Sequence, residues 1–224
     1  MRIALVTSMA LLLAVLSGCE TIKESEGANK SEFIYVNARN VPEEMEVTLR
    51  KNGALLETKT IAYVGDASRE VFWDEGDELQ LVYNQDQPEL TQIVPLYEGK
   101  IVYTAVGNAD NNNSPILFNG PDESELAFSF ARIRVLNAMP GDVRKVVINN
   151  NEETELLGYP SLSDPLDADV EINGIANVEI QDVNDTVIRS FALDMENHAA
   201  YLMVIYEERT VPVTPNIKLL DITP

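Results

Sequence analysis

The chain has 224 residues, 45% of them hydrophobic and 24% charged, a globular composition with room for one or two domains rather than a disordered one. Its net charge of −21 repels phosphate backbones and anionic head groups, which argues against nucleic acid, or a membrane surface, as a partner of the folded part. One cysteine, Cys19, and one histidine, His198, exclude an intrachain disulfide, a cysteine metal site and His-cluster chemistry.

In chain order, Met1-Arg2 forms a brief positive start and Ile3 to Val15 an apolar run of the length of a signal-peptide core. A membrane-spanning helix needs about 20 apolar residues, so this run is too short to serve as an anchor. Leu16-Ser17-Gly18-Cys19 follows, a large aliphatic residue and two small ones before a thiol. This tetrad resembles the lipobox of bacterial lipoproteins. The resemblance implies that residues 1–18 are a cleaved signal peptide and that Cys19 is the lipidation site. It further implies a cell-envelope protein whose membrane contact runs through its N-terminal lipid; because Glu20 is not an aspartate, a Gram-negative host would send it to the outer membrane. Residues 19–31 lack apolar periodicity and are expected to form a flexible tether, holding the folded part roughly 20 Å from the lipid.

From residue 32 onward, period-2 alternation dominates. Glu78 to Tyr83, Arg132 to Val135, Val146 to Ile148, Asp169 to Ile172, Val178 to Ile180 and Tyr201 to Tyr206 all read as strands of sheets with one wet face. Turn chemistry separates them at Lys51-Asn52-Gly53, Glu75-Gly76-Asp77, Glu98-Gly99-Lys100, Pro140-Gly141-Asp142 and Asn173-Gly174. No stretch after residue 20 carries a 3.6-residue period for three turns.

The chain also repeats itself. Phe33-Ile34-Tyr35-Val36-Asn37-Ala38 aligns with Ile133-Arg134-Val135-Leu136-Asn137-Ala138, and Tyr97 to Val106 aligns with Met195 to Val204. The expected fold is all-β: two tandem antiparallel immunoglobulin-like β-sandwiches of six to eight strands each, at residues 32–124 and 125–224, after a lipoprotein signal peptide. The join falls in the polar segment Asn119 to Glu125, and Phe128 and Phe130 just beyond it point to close packing of the two domains. Ala131-Arg132-Ile133-Arg134-Val135-Leu136-Asn137-Ala138-Met139-Pro140 is similar to the A-R-V-R-V-x-(N/H)-A-x-P opening of a secreted bacterial domain of unknown function, commonly found in tandem. Tyr97 to Gly107 resembles a later element of that domain. The resemblance implies the sandwich fold and an envelope location, and carries no catalytic residue.

Chemistry is sparse. Nucleophile motifs, Walker loops and dinucleotide fingerprints are absent, and no cofactor is expected. His198, the lone candidate base, falls in an apparent turn. Asp74-Glu75-Gly76-Asp77-Glu78 holds paired acids that suit either glycoside hydrolysis or an exposed hairpin turn. Two oxygen-rich loops are calcium candidates, one through Asn108, Asp110 and Asn112 and the other through Asp182 and Asp185. Trp73 and Tyr63, with Phe72, are candidates for stacking on a sugar ring. The reading these features favour is a non-enzymatic binding or scaffolding module for an envelope protein or glycan. The alternative is a polysaccharide-acting enzyme or carbohydrate-binding accessory module; a small-ligand carrier would need an apolar pocket between the sandwiches, of which the patterning gives no sign.

Overall fold

The computed structural model describes residues 29–38, 44–83, 92–106, 114–121, 123–141, 143–170, 174–208 and 213–224. The first half contains β1 (Asn29–Asn37), β2 (Met45–Lys51), β3 (Ala54–Ile61), β4 (Asp66–Trp73), β5 (Leu79–Tyr83), β6 (Gln92–Val94), β7 (Gly99–Val106) and β8 (Ser114–Asn119). After a 3₁₀ turn at Glu123–Glu125, the second half contains β9 (Ala131–Asn137), β10 (Lys145–Ile148), β11 (Glu152–Glu153), β12 (Ser161–Leu162) and β13 (Leu166–Ala168). Then follow β14 (Ile175–Gln181), β15 (Val187–Asp194), β16 (Ala200–Glu208) and β17 (Thr214–Asp221). The chain is all-β, and its strands build two successive sandwiches.

In the first sandwich a sheet ordered β4-β1-β7-β8 faces one ordered β3-β2-β5-β6. The second repeats this order, with β12-β9-β16-β17 facing β11-β10-β14-β15, and β13 extending the β12 edge along β9. Each sandwich contains one parallel pair, β1 with β7 and β9 with β16, which corrects the all-antiparallel expectation. Constant-type immunoglobulin sheets instead group strands 1, 2, 5 and 4 against 3, 6 and 7.

The register also refines the repeat. Phe33 pairs with Ile101 and Ile133 with Tyr201, so the strand equivalent to β7 lies 100 residues on, two more than the sequence alignment places it. A slip of two residues keeps every side chain on its face, which is why the alternation does not reveal it.

Further boundaries shift. β1 begins at Asn29, inside the segment expected to be tether, and Asp169 and Val170 follow β13 as non-strand residues. Val170 is nevertheless buried.

Burial explains the architecture. Phe33 and Tyr35 of β1 point into the first core with Met45, Val47, Leu49, Leu79 and Leu81. Their neighbours Ile34 and Val36 point the other way, into a cluster shared with Leu136, Leu202, Val204, Leu220 and Ile222 of the second sandwich. β16 divides likewise: Tyr201, Met203 and Ile205 enter the second core, Leu202 and Val204 the shared one. The four sheets therefore stack as one body in which the two inner sheets are buried on both faces. This corrects the one-wet-face reading of Tyr201 to Tyr206, since a run of consecutive apolar residues is the mark of a strand covered on both sides. Close packing of the domains is present, but through strands; Phe128 is 85% exposed and Phe130 39%.

Two asparagines hold equivalent places in the copies. Asn37 and Asn137 are fully buried, and their amides donate to the carbonyls of Ile61 (3.1 Å) and Leu157 (3.0 Å). At the first hairpin of each copy, Asn52 and Asn149 adopt positive φ, and their side-chain oxygens accept from the backbone N–H of Glu78 (2.8 Å) and Asn177 (2.7 Å). Asparagine tolerates the left-handed region because its short amide can bond locally.

Candidate functional site

The expected chemistry is dispersed by the fold. Tyr63 precedes β4 and Trp73 ends it, so about eight strand residues, roughly 25 Å, separate the two rings. They do not form one stacking platform. Tyr63 donates its hydroxyl to the Glu207 carbonyl at 2.8 Å and meets Tyr206 edge-on, so it pins the first sandwich to the second. Trp73 donates to Ser31 Oγ at 2.9 Å, and Ser31, fully buried, donates in turn to the Tyr97 carbonyl. Phe72 is half-buried.

The acids of the β4–β5 turn are structural. Asp74 and Glu75 are exposed on it. Asp77 closes it: its carboxylate takes the Lys51 ammonium at 2.7 Å, the Asp74 N–H at 2.9 Å and the Asn52 amide at 2.7 Å. These bonds, the Lys51 contact foremost, lower its pKa to about 2. The sign follows: a depressed carboxylate stabilises the fold above its ordinary pKa and loses that contribution as pH falls from about 4 toward 2. Asp77→Asn should lower the melting temperature at pH 7 by about 2–4 °C, corresponding to about 1 kcal/mol after allowance for solvent screening. The gap between variant and wild type should close as thermal melts are repeated down to pH 2.

The calcium candidates Asn108, Asp110 and Asn112 lie outside the described residues. Asp182 caps its own turn, accepting from the N–H groups of Asn184 (2.8 Å) and Thr186 (2.9 Å), which hold its carboxyl below the usual range. Asp185 contacts the Lys145 ammonium at 2.6 Å. A divalent ion at this turn would have to displace that ammonium. Among the described residues no three His, Cys, Asp or Glu side chains gather into a metal-holding group. Cys19 also lies outside the described residues.

His198 adopts a positive φ of 61° and stacks on Phe128, with ring centroids 4.5 Å apart and 9° between planes. Its Nδ1 is buried without a hydrogen-bond partner, so no hydroxyl or carboxylate is arranged on that nitrogen for base catalysis. The Tyr35 hydroxyl is pushed upward in pKa by burial inside the first core rather than in a cleft.

What the fold does assemble is a boundary between the sandwiches with a cleft on each flank. On the β4 and β17 side, Tyr63 and Val64 meet the second sandwich. Val64, at φ 53°, donates its N–H to the Asn37 carbonyl (2.7 Å), and its own carbonyl accepts from Lys218 Nζ (2.8 Å), which also pairs with Asp66. A β-branched residue in the left-handed region is strained, and these bonds on both of its sides hold it there. The groove beside them runs between Glu32, Asp66 and Ser68 on one wall and Lys218 to Asp221 on the other.

On the β8 and β9 side, Asn119, Gly120 and Pro121 carry the chain from one sandwich to the other past a cavity of about 100 Å³ lined by Arg132, Arg134, Glu125 and Pro165. Gly120 is closely packed: a Cβ would lie 3.2 Å from Lys100 Cβ and 3.3 Å from the Lys100 carbonyl, tight enough that Lys100 would have to shift. The Arg134 guanidinium sits over the Phe118 ring at 5.3 Å, an attraction of cation and ring across the boundary. The alternating arginines thus face this cleft, not open solvent, and period-2 patterning alone could not have distinguished the two.

No family model matches the chain and no curated protein does. Among solved structures it is similar to a candidate adhesin from Bacteroides ovatus, at 11% identity over 85% of this chain and 92% of that one, with a TM-score of 0.27. It is also similar to the C-terminally truncated tip fimbrial protein Mfa3 from Porphyromonas gingivalis, at 10% identity over 86% and 99% of the chains, with a TM-score of 0.25. Similarity at these scores carries no argument, and the fold stands on the strand pairing itself.

Proposed function

We propose that this chain is a lipid-anchored protein of the cell envelope whose paired sandwiches act as a non-enzymatic binding or scaffolding module for an envelope protein or glycan. The observation that supports the module reading most is the shared core of Ile34, Val36, Val102, Leu136, Leu202 and Val204, which makes two sandwiches one continuous body. Such a body offers a fixed surface, and its loops and clefts are where recognition is placed on a sandwich scaffold. Among the described residues, the strongly displaced ionisable groups Asp77 and Tyr35 serve a turn and a core. The envelope address rests on Leu16-Ser17-Gly18-Cys19.

The test is fractionation and proteinase treatment of intact cells producing the wild type or Cys19→Ala, followed by crosslinking of the membrane-bound form. Wild type should partition with membranes, Cys19→Ala should not mature into that form, and a crosslinked partner should appear with the wild type. Identical membrane partition of Cys19→Ala would overturn the anchor, and an enriched hydrolytic activity in the purified protein would overturn the module reading.

A further inference from the structure

The cleft between β8 and β9 holds an unusual charge arrangement for so acidic a chain. Arg132 and Arg134 stand at i and i+2 on one strand, hence on the same face, with their Cα atoms about 7 Å apart. Two like charges so placed repel one another. Arg134 forms no ion pair among the described residues, although the chain carries 37 acids, and its guanidinium lies over the Phe118 ring. Arg132 reaches Asp167 at 3.3 Å and the Glu125 carbonyl at 3.4 Å, both through Nη1 and both long for charge-assisted bonds. A guanidinium offers five N–H donors. Most of the ten in this pair have no protein acceptor among the described residues, and the Phe118 ring lies against the Arg134 guanidinium.

We propose that this cleft binds a single carboxylate group, held by the forks of Arg132 and Arg134 at the boundary of the two sandwiches. A carboxylate matches the planar fork bidentately and relieves the repulsion between the two arginines. The cavity, about 100 Å³, has room for one such group. Net charge selects among anions: a doubly charged phosphate meets about twice the long-range repulsion from the −21 body that a carboxylate does. The cleft becomes the recognition point of the module proposed above, and its test is made in solution so that failure here leaves the envelope reading standing.

The experiment is a titration of the full-length chain in detergent micelles, labelled with ¹⁵N-arginine, following the Nε–Hε resonances. Sodium acetate should shift the signals of Arg132 and Arg134 saturably, with half-effect at millimolar concentration, while sodium chloride at equal ionic strength should not. Arg134→Gln should weaken the response of Arg132 at least tenfold, Arg134→Lys should weaken it less, and Arg50→Gln, on the outer sheet of the first sandwich, should leave it unchanged. N-acetylglutamate amide and glucuronate then distinguish the source of the carboxylate: the tighter of the two identifies a peptide or a sugar ligand. A linear, unsaturated shift in the wild type, or one equalled by chloride, would overturn the site even if a variant failed to fold.

Discussion

Val204→Asp should break the molecule's unfolding into two transitions and cost about 4 kcal/mol or more. Val204 is fully buried in the cluster shared by the two sandwiches, facing Ile34, Val36 and Val102 across the boundary. An aspartate there loses the valine's transfer energy, about 1.5–3 kcal/mol, and places a polar group where no donor reaches it, which adds several more. The damage lies between the sandwiches, because Val204 points away from the second core, where its neighbours Met203 and Ile205 are seated. Each sandwich keeps its own core, so the prediction is separation and not collapse. Calorimetry would show two peaks, the sum of their enthalpies near that of the single wild-type peak. A single peak with an unchanged midpoint would mean that the boundary contributes little.

Asn137→Ala should destabilise the second sandwich by about 3 kcal/mol. The Asn137 side chain donates to the carbonyls of Leu157 (3.0 Å) and Gly158 (3.2 Å) and accepts from the Met139 N–H (3.2 Å), all at a position with no solvent exposure. Removal leaves the Met139 N–H unpaired, at about 1–3 kcal/mol, and takes a donor from the carbonyls of Gly158 and Leu157, of which Leu157 keeps the Arg144 N–H at 3.0 Å. Asn137→Asp tests the same site differently, since a carboxylate has no donor for the two carbonyls and a protonated carboxyl has one O–H at most. Urea titration of both variants would show lower midpoints at unchanged slope. Midpoints equal to wild type would assign these bonds no net worth.

How much of this was legible in the sequence depends on the element. β14 was legible at its centre: Val178 and Ile180 enter the core as the alternation of Val178 to Ile180 requires, while the strand itself extends to Ile175 and Gln181. The alignment of Asn37 with Asn137 was legible too, though nothing in it marks them as buried amides rather than turn residues. β16 misled because its six residues from Tyr201 to Tyr206 contain both an alternating and a continuous reading, and only the partner sheet decides between them. Tyr63 was beyond reach: its hydroxyl partner lies 144 residues away. Arg132 and Arg134 were recognised as one face of a strand, yet a face that meets a second sandwich and a face that meets water have the same sequence period.

The central claim is that two sandwiches unfold as one body. Trp73, the sole tryptophan, sits in the first sandwich, hydrogen-bonded to buried Ser31, so its fluorescence reports on that half alone while far-UV circular dichroism reports on both. Urea unfolding of the full-length chain followed by the two signals should give one superimposable transition. A fluorescence midpoint displaced from a biphasic dichroism curve would contradict the account and make the sandwiches independent units.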